Sequence, residues 1–199
     1  MTRKLLFLTG CCLAALLISA PSVFAADIDR ISRQVARLKI ERSGYTLGKA
    51  LTGGQLAIAR KNPVESTVPG TFKFQDRNLF IVAQEKNNRV LIMYERFEKA
   101  TQQKAQNVIG DLYMTFEEPT VLAHEQVVYW AYSKKGKISS KAFDTAKKEK
   151  EKIEIMATVK YISDVKLMSK AKGTAEGLVY YIISSDPLLQ FFRDKKKTL

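Results

Sequence analysis

Cysteine and histidine are nearly absent from this sequence, which has two cysteines and one histidine in 199 residues. Both cysteines, Cys11 and Cys12, lie in the N-terminal segment that we expect to be removed on export. A chain without them has no disulfide, no thiolate nucleophile, no cysteine-ligated zinc or iron–sulfur cluster and no covalently attached haem. A histidine-based metal site also needs more nitrogen ligands than one histidine supplies. An oxygen-ligated calcium or magnesium site stays open as an alternative, although the sequence has no Asp-x-Asp-x-Asp run of the EF-hand type. We predict neither a metal nor a cofactor.

The sequence also lacks an apolar run long enough to span a membrane, and this decides how the N-terminus is interpreted. Two basic residues precede the apolar stretch 5–18, and Val23-Phe24-Ala25 places small residues where a signal peptidase cuts. A spanning helix needs ~20 apolar residues, which is more than this stretch provides. We predict a secretory signal peptide over 1–25, cleaved between Ala25 and Ala26, and hence a periplasmic or secreted protein.

A lipoprotein is the minor alternative for the same segment. Leu8-Thr9-Gly10-Cys11 spells a lipid-attachment pattern. Lipidation at Cys11 would leave few apolar residues ahead of the cut and would strand the apolar stretch 12–18 at the new N-terminus. Cleavage of a signal peptide between Ala25 and Ala26 is therefore favoured over lipidation at Cys11.

Acidic residues are the scarcer charged type, at 20 against 33 basic ones, so the net charge is +13. Loss of Arg3 and Lys4 with the signal peptide lowers it to +11. Such a charge is informative about partners rather than about fold. For an exported bacterial protein we expect an anionic envelope component or an acidic protein, with peripheral membrane contact as a variant and nucleic acid as the less expected partner. An alternative is that the excess charge merely solvates the surface.

Motifs for catalysis are missing. The segment 44–50 resembles a phosphate-binding loop but has the wrong glycine spacing, and Ala50 replaces the required Ser or Thr. His124 adjoins Glu125 in an expected strand, where neighbours point to opposite faces, so the pair does not form part of a catalytic triad. The densest acidic pair is Glu117-Glu118, in an expected loop. We predict no catalytic residue.

The hydrophobic pattern indicates one α+β domain over 26–199, ending in a basic tail, with a mainly antiparallel sheet of about 6–8 strands. Period-two alternation from Ile153 to Tyr161 is typical of a half-buried strand. A short strand is also expected near 55–60. Helices are expected at the N-terminus (27–43), in the centre (about 98–115) and, as short segments, near 140–150 and 187–193.

A basic turn beside aromatic residues is the most specific binding candidate. Lys134, Lys135 and Lys137 follow the strand Tyr129-Trp130-Ala131-Tyr132. Aromatic rings next to lysines suit a lipid head-group boundary or a stacking surface. We expect Trp130 and the three lysines to form a partner-binding site, unless Trp130 belongs to the core.

Three functions follow as hypotheses. The first is a non-catalytic binding or assembly module that engages an anionic partner through the basic stretch. The second is an exported hydrolase that uses carboxylates only. The third is a module that accepts a partner strand at an exposed sheet edge, for which the strand from Ile153 is the candidate.

Overall fold

The computed structural model describes residues 23–123, 127–164, 167 and 175–193. The segment 1–22, His124 and the tail after Arg193 lie outside these residues. The described helices are α1 (Val23–Arg37), α2 (Gly53–Lys61), α3 (Gln102–Phe116), α4 (Ser140–Glu149) and α5 (Asp186–Arg193). The described strands are β1 (Glu41–Arg42), β2 (Tyr45–Thr46), β3 (Pro63–Val64), β4 (Thr71–Asp76), β5 (Leu79–Gln84), β6 (Val90–Ala100), β7 (Val121–Ala123), β8 (Val127–Ser133), β9 (Gly136–Lys137), β10 (Ala157–Ser163) and β11 (Gly177–Ser184).

Nine strands form one sheet, in the order β3-β4-β5-β6-β11-β10-β8-β7, with β9 paired to β8. All of its strand pairs are antiparallel. The strands β1 and β2 form a separate hairpin, turned by Ser43 and Gly44 at positive φ, as two-residue hairpin turns require. The expected α+β fold with a mainly antiparallel sheet is confirmed.

The sheet is built from two similar halves. Each half is a three-stranded meander followed by a helix: β4-β5-β6-α3 in the first, and β8-β10-β11-α5 in the second. The two halves join where β6 pairs with β11, which we call the seam.

One helix begins later than predicted and one element prediction was wrong, and local chemistry explains both. The central helix begins at Gln102 rather than near 98, because Phe97 and Ala100 pair with Val179 and Gly177 across the seam. The segment near 55–60 is helix α2 rather than a strand. Thr52 and Gln55 form a reciprocal capping box that starts this helix.

Two further boundaries differ from the sequence pattern. Helix α1 ends at Arg37 rather than at 43, because the next residues turn into the β1–β2 hairpin. Strand β10 begins at Ala157 rather than at Ile153. It lies between β8 and β11, so it is an interior strand.

One face of the sheet, which we call the covered face, holds the core. Cross-strand register places one buried side chain from each of six neighbouring strands in a row: Phe74, Ile81, Met93, Ile183, Val159 and Trp130. Helix α3 lies against this face, where Ala105 and Leu112 are buried in the same cluster and Tyr161 Oη donates to the Ala105 carbonyl oxygen at 3.4 Å. Each such buried side chain contributes about 1.5–3 kcal/mol to folding.

No helix in the described part of the chain has both the length and the hydropathy that crossing a membrane requires.

Candidate binding surface

Trp130, predicted to bind a partner, is a core residue instead, and that part of the prediction was wrong. Its side chain has no exposed area. It packs edge-on against Tyr113, with ring centroids 5.6 Å apart, and its Nε1 donates to the Glu117 carbonyl oxygen at 2.8 Å. A ring held in this way has no face to offer to a partner.

The three predicted lysines lie together around the β8–β9 turn, but two of them are already paired. Lys134 Nζ lies 2.9 Å from the Glu154 carboxylate. Lys137 Nζ lies 2.6 Å from the Glu117 carboxylate and also donates to the Phe116 carbonyl oxygen. Lys135 is exposed, and its backbone N–H donates to Ser133 Oγ. The intramolecular pairs reduce the charge that this turn can present to a partner.

A cleft of about 290 Å³ beside this turn contains the acidic pair Glu117-Glu118 together with Lys137, Ser139 and Ser140. The hydrogen bond from Lys137, and then its charge, lower the pKa of Glu117. A general acid in hydrolysis needs the opposite shift. Ser139 Oγ is occupied as well, because it accepts the Ala142 N–H at the start of α4. The cleft therefore does not have the features of a carboxylate-based active site.

The other face of the sheet, which we call the open face, carries apolar and aromatic side chains that are not fully buried. Register places each of them on the side opposite to the core row. These side chains are half-buried, and the aromatic residues among them do not belong to the main core cluster. The apolar and aromatic members are Phe80, Val82, Ile92, Tyr94, Val127, Tyr129, Ile162, Leu178, Tyr180 and Ile182.

One row of the open face runs across five neighbouring strands. In strand order it consists of Phe80, Tyr94, Ile182, Lys160 and Tyr129. Four inter-strand spacings make this row about 19 Å long. The rings of Phe80 and Tyr94 stack at 5.0 Å with an interplanar angle of 14°. The open face is thus a broad surface rather than a pocket.

Two lysines place their ammonium groups over aromatic rings of the open face. Lys73 Nζ is 5.2 Å from the Phe80 ring centroid and 5.6 Å from that of Tyr94, and Lys160 Nζ is 5.2 Å from that of Tyr129. Neither lysine forms a salt bridge within the described residues. Cation–π contacts hold an ammonium group near a ring without cancelling its charge. These two charges remain available to an anion.

Acidic residues are absent from the described positions that register assigns to the centre of the open face. Its third cation, Arg96, lies opposite Tyr180 and pairs with Glu98, two residues farther along β6, at 3.3 Å. At the β4 edge, Lys73 also lines a cleft of about 500 Å³ between α2 and β4, together with Arg60 and Phe72. The open face therefore combines aromatic area with unbalanced positive charge.

Polar groups on the covered face serve a structural purpose. Arg42 of the β1–β2 hairpin donates to Tyr181 Oη at 2.8 Å and to Asp111 of α3, and its guanidinium lies over the Tyr181 ring. Burial lowers the pKa of Arg42, but its bonds to Asp111 and Tyr181 raise it further, so the net shift is upward. Burial raises the pKa of Tyr181 well above its ordinary value. Arg42 thus fastens the hairpin and α3 to the sheet.

The sequence contained part of the signal for the open face. The alternation in β10 marks Lys160 and Ile162 as the side opposite to Val159 and Tyr161. Nothing local shows that the described elements leave this side uncovered, or that Phe80 and Tyr129 come to lie in the same row as Lys160. Those facts depend on the order of the strands.

Fold and site together define a class: an antiparallel α+β protein with one sheet face packed under helices and the other carrying aromatic rings and lysines that form no ion pair among the described residues. Comparison with models of protein families, with curated protein sequences and with solved structures finds no match to this chain. Among the described residues, no group of three or more His, Cys, Asp or Glu side chains is arranged to hold a metal ion.

Proposed function

We propose that this protein is an exported, non-catalytic binding module of the bacterial envelope that engages an anionic partner through its open face. The observation that carries the proposal is the pair Lys73 and Lys160, which lie on aromatic rings without a described acidic partner. Apolar area supplies binding free energy, and the lysines supply selectivity for negative charge. The basic turn at Lys134, Lys135 and Lys137 is a secondary contact, because two of its charges are paired internally.

A panel of anionic probes tests the proposal. We suggest vesicles containing phosphatidylglycerol, poly-L-glutamate and a single-stranded dT oligonucleotide, each titrated at low and at high salt. The expected result is salt-sensitive binding to at least one probe, weakened about tenfold or more in the double variant Lys73→Glu/Lys160→Glu.

The matched control reverses the same number of charges away from the open face and the basic turn, as Arg33→Glu/Arg37→Glu on the exposed side of α1. This variant has the same overall charge as the open-face variant. Its binding should nevertheless change by less than about threefold, because the substituted side chains lie outside the proposed site. Equal losses in both variants would mean that net charge alone drives binding, and would overturn the open face as the site. Absence of binding to every probe would overturn the function.

Export is a separate part of the proposal, and the N-terminal sequence supports it. Expression in a Gram-negative host, followed by fractionation and intact-mass measurement, tests it. An unmodified chain that begins at Ala26 is expected in the periplasm. A diacylglyceryl adduct beginning at Cys11 would instead establish the lipoprotein alternative, and an uncleaved cytoplasmic chain would contradict export.

The other two hypotheses receive less support from the geometry. The hydrolase would need a carboxylate held in its neutral form, whereas Lys137 favours the charged form of Glu117. Strand addition at β10 would need an edge, whereas β10 is bonded on both sides.

A further inference from the structure

We infer that the occupant of the open face is an amphipathic helix of another protein, with an apolar stripe flanked by carboxylates. The inference rests on the proposed function and specifies its partner. It begins from the sheet itself: an antiparallel sheet commonly turns one polar face to water, but here the second face carries Phe80, Tyr94, Tyr129, Tyr180 and Ile182. A sheet face of that composition is typically covered by another layer of structure.

The helices on the covered face show what such a layer requires. Helix α3 buries Ala105, Val108 and Leu112 against the sheet, with a spacing of three and four residues. The row from Phe80 to Tyr129 is about 19 Å long, which a helix of about 13 residues spans at 1.5 Å per residue. One amphipathic helix of ordinary length therefore fits the open face.

The positive charge of the open face requires acidic residues beside the apolar stripe of the partner helix. Lys73 and Lys160 lie at separate places on the open face, and neither has a described acidic partner. A second copy of this chain would bring the same lysines face to face, and like charges across an interface disfavour binding. The longer segments of this chain outside the described residues, within 1–22, 165–174 and 194–199, carry more basic than acidic residues. The remaining segment, 124–126, carries one glutamate but is too short to form a covering helix. The chain itself therefore does not supply an acidic helix for this face. A helix from another protein, with Glu or Asp beside its apolar stripe, meets the requirement.

A bilayer fits the open face less well than a helix. Membrane-surface sites bury protruding apolar side chains and extend their lysines outward to the head groups. Here the aromatic side chains are half-buried in the sheet, and both ammonium groups lie 5.2 Å from a ring centroid. The large apolar side chains with the greatest exposure, Met114 and Leu122, belong to other parts of the surface.

Synthetic helices test the inference with the full processed chain. The first probe has about 18 residues, with leucines at i, i+3, i+4 and i+7 and glutamates at the flanking positions. A second probe replaces every glutamate by lysine, and a third scrambles the first. We expect the glutamate helix to bind at least about tenfold more tightly than either of the others. Amide chemical shifts should change along β5, β6, β10 and β11.

The double variant Lys73→Glu/Lys160→Glu provides the decisive comparison. This variant should bind the glutamate helix more weakly and the lysine helix more tightly than the unaltered chain does, because the charge on the open face is reversed. The variant Arg33→Glu/Arg37→Glu, at exposed positions of α1, should keep the preference of the unaltered chain. Circular dichroism and urea unfolding of both variants establish that they fold.

The failures of the two proposals are distinguishable. If phosphatidylglycerol vesicles bind through Lys73 and Lys160 while the glutamate helix does not, the helix is overturned and the binding function stands. The same holds if the dT oligonucleotide alone binds through these lysines. If the protein binds the glutamate helix and its scrambled version with equal affinity, the inference of a helical occupant is also overturned. If nothing anionic depends on these lysines, both proposals fail.

Discussion

The two faces of the central sheet are built from the same strands and differ in almost every other respect. On β11, Tyr181 points to the covered face, where it is fully buried and bonded to Arg42, while its neighbour Tyr180 points to the open face and is half-buried. On the covered face, the polar groups of Arg42, Tyr181 and Asp111 are bonded to one another. The open face leaves two lysines on aromatic rings with no described carboxylate. The difference separates residues that maintain the fold from residues that are available for binding.

The largest expected effect comes from the same substitution made at those two neighbours. Tyr181→Ala removes a buried ring and should lower the free energy of unfolding by about 3–5 kcal/mol. Tyr180→Ala should lower it by about 1 kcal/mol, because the ring contacts solvent and loses mainly strand preference. Urea unfolding monitored by circular dichroism measures both. Similar losses at the two positions would show that the open face is covered in the folded protein.

Two arginines give the next comparison. Arg42→Ala leaves Tyr181 and Asp111 without their donor and should cost about 2–3 kcal/mol. Arg96→Ala removes only the exposed pair with Glu98 and should cost less than about 1 kcal/mol. The midpoints of thermal unfolding of the two variants check the order. A larger loss of stability in Arg96→Ala than in Arg42→Ala would contradict the conclusion that polar contacts stabilise mainly the covered face.

Alkaline pH should destabilise the protein through covered-face tyrosines. Burial, and then the hydrogen bond to Asp76, raise the pKa of Tyr45 to about 12; burial, and then the charge of Glu117, raise the pKa of Tyr132 to about 12. Since the folded state holds these protons more tightly, their contribution is complete below pH ~10 and is lost as pH rises through ~12. Urea midpoints measured from pH 8 to 12 should therefore fall.

The double variant Tyr45→Phe/Tyr132→Phe isolates this contribution. It should be less stable at neutral pH by about 1 kcal/mol, because the hydrogen bond from Tyr45 to Asp76 is lost, yet its urea midpoint should decline less steeply above pH 10. An unchanged slope would show that other groups govern the alkaline transition.

The smallest effect is expected at the basic turn. Glu154→Gln removes the exposed pair with Lys134, in which both side chains are about half exposed or more. Stability should change by less than about 0.5 kcal/mol. Binding of an anionic probe to the turn should rise slightly, because Lys134 is released. A larger loss of stability in urea unfolding would mean that the turn has a structural role.

Local patterns in the sequence predicted the elements better than their assembly. The alternation that ends at Tyr161 was sufficient to place β10, because this signal arises within a few residues. The strand character of Phe97 could not be predicted, since it depends on pairing with Val179, more than 80 positions away. Trp130 was ambiguous for the same reason: a lysine-rich turn follows it in the sequence, but its contacts in space are Tyr113 and Glu117.

The seam has a consequence for how the chain reaches its folded state. Each meander pairs strands that are close in sequence, whereas β6 must wait for β11, whose first residue follows β6 by 77 positions. Pairing that closes so long a segment is slow compared with local pairing. Until it is complete, β6 presents 11 residues of unpaired backbone on one side. A chain interrupted before Gly177 would retain that edge permanently and would be prone to aggregate through it.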